Sequence, residues 1–528
     1  MSIKLTSRQN IRSGSDMENN RSIREEKTSN RSLFISNTIF NVGANLITQI
    51  IGLFVLPLFA RNIGVEIYGI WVLSSVVLGY LGLFEMGFGV GITRYISEAY
   101  VNKRAKELND VINTGLLLFL GIGLAICCIC IFFNAQILRF FSIAPANIQV
   151  ARNLLIISGI FAVVFWPMRI IESVFEGLLR YKELSFVRGI KSIGAVSVLL
   201  YCVYVGLPIE MIAVIYNSSM LILWLALLIP LKMFVPTYSF NLFLNIGVIK
   251  KISSFSFAVF YSRVLSMIAL KLDYIIIGIF ISMSAITAYT VASRLFYAAY
   301  IYLGMLSSVL WATVFNARAV GNHVLIEKML SQGTKYMACV IAPIAYLGIA
   351  VSPSFIRLWM GEAYVQYAIW SQMFMFVLLI GPGLGLASNI AMASGKCSLV
   401  NILSSISVAV NLVISVAFIR ALGIGGPILG TLIAGVLVSG PFAFPIYCKL
   451  IKVDWKKPLL TVYKISLSGF PMFCGFYFLI NRLVSINWTN LILFSGIYLL
   501  LQYFLSYILF LNRDEKNDLR LLLNFYKT

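Results

Sequence analysis

Histidine occurs once, at position 323, and acidic side chains are scarce, with 20 Asp and Glu against 41 Lys and Arg in 528 residues. A lone His323 in a charged loop, with no ligating residues around it, supplies neither a metal site nor an imidazole acid–base pair. The 8 cysteines lie mostly within apolar runs, and their spacing matches neither a metal-binding nor a disulfide framework. Cys127, Cys128 and Cys130 share one apolar run and read as small hydrophobes packed in a helix. Alternation of polar and apolar residues, the mark of an outer-membrane strand, is absent. No polar stretch between apolar runs exceeds roughly twenty residues, too short to hold a soluble catalytic fold. These absences exclude a metalloenzyme, a disulfide scaffold, a membrane barrel and a catalytic domain outside the membrane. No catalytic residue and no metal ligand is expected.

What is abundant is hydrophobic sequence, at 60% of the chain. One soluble core could not bury that much, so the chain reads as an all-α integral membrane protein. Runs long enough to cross a bilayer cover 33–60, 67–93, 111–133, 153–176, 190–207, 210–230, 252–281, 285–316, 334–352, 367–393, 398–421, 424–448, 459–480 and 489–511, about 14 helices. Residues 1–32 are polar and rich in Ser, Asn and Arg, and read as a disordered basic cytoplasmic tail. The net charge of +21 sits mainly in loops on the tail's side: Lys103, Arg104 and Lys106, Arg180 and Lys182, Lys250 and Lys251, Lys449 to Lys457. Opposite loops carry single cations such as Arg61, Arg139 and Arg357. That asymmetry places both termini in the cytoplasm and makes nucleic-acid binding an unnecessary explanation of the charge.

The halves resemble each other. IGVEIYGIWVL at 63–73 parallels ISMSAITAYTVASRL at 281–295, so that Tyr68 and Tyr289 correspond. An even number of spans per half makes the repeats parallel, related by a pseudo-two-fold axis along the membrane normal. The expected organisation is a six-helix lobe over 33–230, a second over 252–450, and two extra transmembrane helices with a short cytoplasmic tail over 455–528.

Ionisable residues inside spans are costly and mark pathways by default. Arg263 and Arg294 lie about 16 and 13 Å into two consecutive antiparallel runs at 1.5 Å per residue, near one level in a core of roughly 30 Å. Two cations at that depth point to a bound anion. Lys271 and Asp273 lie about 80° to either side of Arg263 on a helical wheel, fitting one broad polar sector. Glu85 sits deep in the second span, before a Gly87–Gly89–Gly91 pattern with no strand in front of it, which fits helix packing rather than a dinucleotide. Arg169 and Glu172 head a stripe of alternating charge that continues to Glu176 and Arg180; it reads as self-neutralising at the interface, with Arg169 and Glu172 as further cavity candidates. Pro57, Pro167, Pro343, Pro382, Pro427, Pro441 and Pro445 interrupt spans, as in a bundle that moves.

YGIWVLSSVVLGYLGLFEMGFGVGITRYISE at 68–98, KLDYIIIGIFISMSAITAYTVASRL at 271–295 and IRLWMGEAY at 356–364 resemble bacterial O-antigen and capsule flippases. These belong to the multidrug/oligosaccharidyl-lipid/polysaccharide exporter superfamily. The resemblance covers most of 33–450. It implies a non-enzymatic inner-membrane flippase of polysaccharide or lipopolysaccharide biosynthesis that moves an undecaprenyl-pyrophosphate-linked repeat unit by alternating access. A proton or sodium gradient would drive it, with no cofactor. The implied partners are the lipid-linked oligosaccharide, membrane lipids, and a polymerase and chain-length regulator of the same pathway. Asp273 and Glu85 match the family's acidic positions in helices seven and two, as ion-coupling or cavity carboxylates. Arg263 and Arg294, with Lys271, would hold the anionic head group; the two arginines rest on depth alone. Three alternatives stand beside this reading: a lipid-linked peptidoglycan precursor flippase, a multidrug cation antiporter of the same superfamily, and a membrane-embedded polysaccharide polymerase or ligase. An enzyme of that last kind would carry a large outer loop with catalytic groups, and the outer loops are short.

Overall fold

The computed structural model describes residues 49–517 except 86, 237, 242–243, 320–322 and 484–486; side chains at 254–259, 263, 302, 305–319, 439 and 483 also lie outside the description. The tail at 1–32 and the start of the first span fall outside it too. Among the described residues the protein is entirely helical. Ten helices among the described residues are long and apolar enough to cross a membrane, or eleven if one bent pair is a single span. The fourteen spans expected include two long helices, α10 (Ile246–Phe280) and α11 (Met283–Ala319), whose side chains are described only in part.

Several expected spans are broken. After α1 (Gln49–Asn62), the run 67–93 is not one helix: α2 (Val65–Leu81) ends in a 3-10 turn, Gly82–Glu85, and α3 (Phe88–Val101) restarts after Gly87. Gly87 has φ of 73°, a left-handed conformation that glycine adopts without a Cβ penalty. The run 367–393 breaks between α13 (Ala368–Ile380) and α14 (Gly385–Ala393), where Pro382 lacks an N–H and Gly383 turns at φ of 80°. The run 424–448 divides into α16 (Gly425–Ala434), a π-turn and α17 (Ala443–Leu450), whereas α18 (Lys456–Ser468) and α19 (Phe470–Phe478) join through a helical Gly469 into one span, as expected for 459–480. Other spans are continuous and run longer than the apolar pattern, as in α4 (Ala105–Phe132), α6 (Ile148–Gly177), α12 (His323–Met360) and α15 (Cys397–Leu422). A short α5 (Asn134–Arg139) follows α4, and α20 (Trp488–Phe510) is the last described helix. Helices α7 (Tyr181–Val205) and α8 (Ile209–Leu225) are separated by a left-handed Gly206 and by Pro208 at the N-cap, and α9 (Leu228–Phe234) extends α8.

Apolar packing divides by depth. At the end away from the basic loops one cluster joins both halves, with Phe59, Tyr68 and Leu154 packed alongside Ile277, Tyr289 and Phe374. Toward the basic loops two separate clusters form. One is centred on Ile112, Phe175 and Leu227, the other on Leu330, Phe444 and Val462. Among the described residues, therefore, the halves share their large core at one end, while toward the basic loops only the start of α10, through Val248 and Ile252, packs into the first half's cluster. Polar contacts tie that same end. Thr287 of α11 donates to the Val65 carbonyl of α2 at 2.6 Å, and Trp359 of α12 donates to the Leu53 carbonyl of α1 at 2.6 Å. Ser142 adds hydrogen bonds to Gly278 and Ile279 at the end of α10. A Cβ on Gly69 would collide with the Met283 carbonyl oxygen, so α2 and the start of α11 touch through glycine. These are the two stretches whose sequences parallel each other.

Candidate functional site: a buried carboxylate and a span arginine

Asp273 of α10 is 4% exposed. Its Oδ2 accepts hydrogen bonds from the Tyr289 hydroxyl of α11 at 2.6 Å and the Thr431 hydroxyl of α16 at 3.2 Å. Asn411 of α15 donates its amide to Thr431 at 3.0 Å, and Ser415, one turn further, donates to Asn411 Oδ1 at 2.9 Å. Every donor in this four-helix chain points toward one carboxylate oxygen, as an ionised carboxylate requires. The other oxygen, Oδ1, is buried and without a hydrogen-bond partner among the described residues. Leaving a buried acceptor unmade costs about 1–3 kcal/mol, more for a charged group, so Oδ1 is where a proton or cation would be stabilised. Tyr80 of α2 has a buried hydroxyl that also lacks a partner there. Thr431 and Asn411 line a cavity of about 510 Å³ between α10, α11, α13 and α15, so the chain connects the carboxylate to open space.

Arg294 of α11 is half-buried and makes no hydrogen bond or ion pair among the described residues. Its guanidinium lies against Gly52 of α1, where a Cβ would come within 3.0 Å of Nη2. An arginine within a span without a counter-ion is expensive, and it presents five donors in a planar fork suited to phosphate. Lys271 is half-buried with its ammonium 5.3 Å from the Tyr274 ring, a cation–π contact. It makes no ion pair with Asp273, as their wheel separation requires. Arg263 occupies mid-α10, and its side chain lies outside the described residues. Phe260, Ser266 and Met267 of the same helix line a second cavity of about 640 Å³.

Glu85 lines that second cavity, with Trp71, Trp166 and Tyr216. Its Oε1 sits 2.5 Å from where a Cβ on Gly89 would be, so the glycine makes room for the carboxylate over the first turn of α3. Glu172 lies elsewhere. It is 3% exposed, and its Oε2 accepts from Arg169 at 2.7 Å and from Arg188 Nε at 3.1 Å. Lys191 approaches Oε1 at 3.5 Å, and Arg188 reaches on to Glu176 at 2.7 Å. Three cations on two carboxylates tie α6 to α7, while the Lys191 ammonium sits 3.6 Å from the Trp224 ring. The structure thus gathers Asp273 with Tyr289, Thr431, Asn411 and Ser415, places Glu85 in the other cavity, and holds Arg169 and Glu172 in an ion cluster apart from both. Sequence reasoning does not join Asp273 to its two partners, Tyr289 and Thr431, or to Asn411 and Ser415 behind them. Asn411 and Ser415, spaced i,i+4 in an apolar span, are the available signal.

Apolar helices long enough to span, several of them broken and some carrying buried charges, define a multi-pass membrane protein of helical bundle type. The chain belongs to the polysaccharide biosynthesis protein family, whose model it matches over residues 34–312. Comparison with curated protein sequences gives no match. Its fold is similar to "Lipid II flippase MurJ, inward closed conformation", with a TM-score of 0.70 and 18% identity over 89% of this chain and 99% of that one. It is similar to the inward-facing conformation of a multidrug resistance MATE family transporter (TM-score 0.59, 12% identity, 83% and 98% coverage). The outward-facing conformation of a multidrug resistance MATE family transporter also matches, with a TM-score of 0.59 and 14% identity over 81% and 96%. At these identities the likeness establishes the fold.

Proposed function

We propose that the protein flips an undecaprenyl-pyrophosphate-linked oligosaccharide, an O-antigen or capsule repeat unit, across the inner membrane by ion-coupled alternating access. The observation that carries this is Arg294: a span arginine with no anion of its own among the described residues. Its fork is suited to a pyrophosphate, and Arg263 and Lys271 on α10 would add charge. Asp273 would be the coupling group, with a proton or sodium ion at Oδ1 completing the shell that Tyr289 and Thr431 begin. Occupancy there would bias how α10, α11, α15 and α16 pack, which is how a bound ion shifts a two-state equilibrium. The large shared core at one end, against smaller clusters joined only through the start of α10 at the basic end, supports a substrate path from the cytoplasmic side, with both termini there. The lipid tail would stay in the bilayer. No covalent step is needed, and a polymerase and chain-length regulator would act on the product.

The test is rescue of a strain lacking its own O-antigen or capsule flippase. Wild type is expected to restore surface polymer, and Arg263→Ala and Arg294→Ala at equal protein level are expected to fail. Normal polymer from both alanine variants contradicts the proposal. A lipid-linked peptidoglycan precursor is a second reading, favoured by the similarity to the lipid II flippase. Rescue of a strain depleted of that flippase, without rescue of surface polymer, would select it.

A further inference from the structure

Two of the three buried polar side-chain atoms that lack a hydrogen-bond partner among the described residues are complementary. One is the Asp273 Oδ1 acceptor on α10, and the other is the Tyr80 hydroxyl on α2. A Cβ on Gly79 would collide with the Met267 side chain, so α2 touches α10 beside Tyr80. Asp273 lies about 9 Å further along α10 at 1.5 Å per residue, toward the closed end. A helical tyrosine leans toward the N-terminus of its own helix, which for α2 is that same end. Tyr80 and Leu272 pack against the same shared core, and the Tyr80 hydroxyl lies within range of the Asp273 charge. The other groups near this carboxylate are engaged elsewhere. Tyr289 donates to Oδ2, Tyr297 donates to the Leu270 carbonyl at 3.2 Å, and the Tyr274 hydroxyl is held by Ser293 and Thr290. The Lys271 ammonium sits at the Tyr274 ring, and the Arg294 guanidinium lies against Gly52. That leaves Tyr80 as the donor for Oδ1.

Resting on the reading of Asp273 as the coupling carboxylate, we infer that Tyr80 exchanges with the coupling cation: its hydroxyl donates to Oδ1 when the cation leaves and gives way when the cation binds. Pairing satisfies two buried groups in one movement, and a bond to an ionised carboxylate is stronger than one between neutral groups. A cation on Oδ1 repels the hydroxyl proton that the bare carboxylate attracts, so the two arrangements exclude each other. The exchange joins the ion to the halves. Tyr80 belongs to the first half and Asp273 to the second, so the hydroxyl draws α2 against α10 when Oδ1 is bare and frees it when the cation is bound. Tyr289 and Thr431 hold the carboxylate from within the second half in both arrangements. Tyr80 alone carries occupancy across the boundary, and a cation that biases this contact shifts the population of the two arrangements.

The experiment uses the full chain in nanodiscs, as wild type, Tyr80→Phe, Tyr80→Met and Asp273→Asn. Thermal unfolding is followed against sodium at fixed alkaline pH and against pH in sodium-free buffer. Spin labels attached at the exposed Val101 and Val324 report the spacing of the halves at the basic end. Sodium or protons are expected to stabilise wild type and shift the label distance, and Asp273→Asn should show neither response. Tyr80→Phe should bind the same cation about tenfold more tightly, because its competitor is gone, and should hold one label distance at every concentration. A tyrosine that only packs would change the unfolding temperature without moving the binding midpoint. A wild-type midpoint in Tyr80→Phe overturns the inference alone, and so does a weaker one, which would make Tyr80 a ligand of the cation. No response of wild type to either cation, or an undiminished response in Asp273→Asn, overturns the coupling reading and the inference with it. Tyr80→Met also removes the hydroxyl while filling the space, so it gives the same reading if Tyr80→Phe does not fold.

Discussion

Asp273 shows how one residue gathers a site. Two hydroxyls converge on Oδ2 and, among the described residues, none on Oδ1, so the carboxylate is half-coordinated within a packed span. Asp273→Asn keeps the shape and most hydrogen bonds but removes the charge. Transport by this variant is expected to lose its dependence on a proton or sodium gradient at normal protein level, measured as uptake against imposed gradients; full gradient dependence would remove Asp273 from coupling. Tyr289→Phe deletes the 2.6 Å donor and is expected to lower stability by about 1.5–3 kcal/mol, the range for a bond to a charged group, read from thermal unfolding in detergent. Asp273, Glu85 and Arg294 are legible in the sequence directly, because a charge in an apolar run is conspicuous. Thr431, Asn411 and Tyr289 stay hidden because single hydroxyls and amides are ordinary in spans. Their meaning comes only from several helices meeting at one carboxylate, which no local pattern encodes.

Elements are legible where hydrophobicity alone decides them, as in α4, α6 and α15, and are misjudged where backbone chemistry cuts an apolar run. Gly82 to Gly87 and Pro382 to Gly383 carry no polar signal strong enough to end a span, yet they turn the chain. The α2–α11 contact depends on Gly69, which has Met283's carbonyl where a Cβ would be. Gly69→Ala is expected to push α2 off α11 and loosen the closed end, seen as faster labelling of cysteines introduced beside Thr287; unchanged labelling would show that the contact does not hold the halves. The last helix, α20, is latched by Glu515, which takes Lys335 Nζ at 2.6 Å on both oxygens, the Tyr336 hydroxyl at 3.0 Å and the Asn512 N–H at 2.8 Å. Burial pushes the Glu515 carboxyl up, but these hydrogen bonds and the Lys335 charge outweigh it and hold it below the ordinary glutamate value. A depressed carboxyl stabilises the fold above its unfolded value and loses that contribution as pH falls through the folded one. The latch should therefore hold at neutral pH and release only in acid below the ordinary glutamate range. Limited proteolysis after residue 510 against pH checks this, with Glu515→Gln expected to be cut at neutral pH.

At the scale of the molecule, composition and loop charge read out a helical membrane protein with paired halves, because bilayer thickness and the cost of burying charge act on every span alike. Which end is closed is not readable there, since it depends on side chains from both halves meeting at Thr287, Trp359 and Ser142. The large shared core at that end and the smaller clusters at the other are the geometry the proposed alternating access would use, and Arg294 is the residue proposed to receive the cargo. The most direct test is translocation in proteoliposomes holding a pyrophosphate-linked oligosaccharide lipid, scored by a lectin that reads the far leaflet under an imposed ion gradient. Gradient-driven appearance of the sugar with wild type, and its loss with Arg294→Ala and with Asp273→Asn, is the expected result. Wild-type rates in the Arg294→Ala protein would contradict the central claim that this cation receives the pyrophosphate.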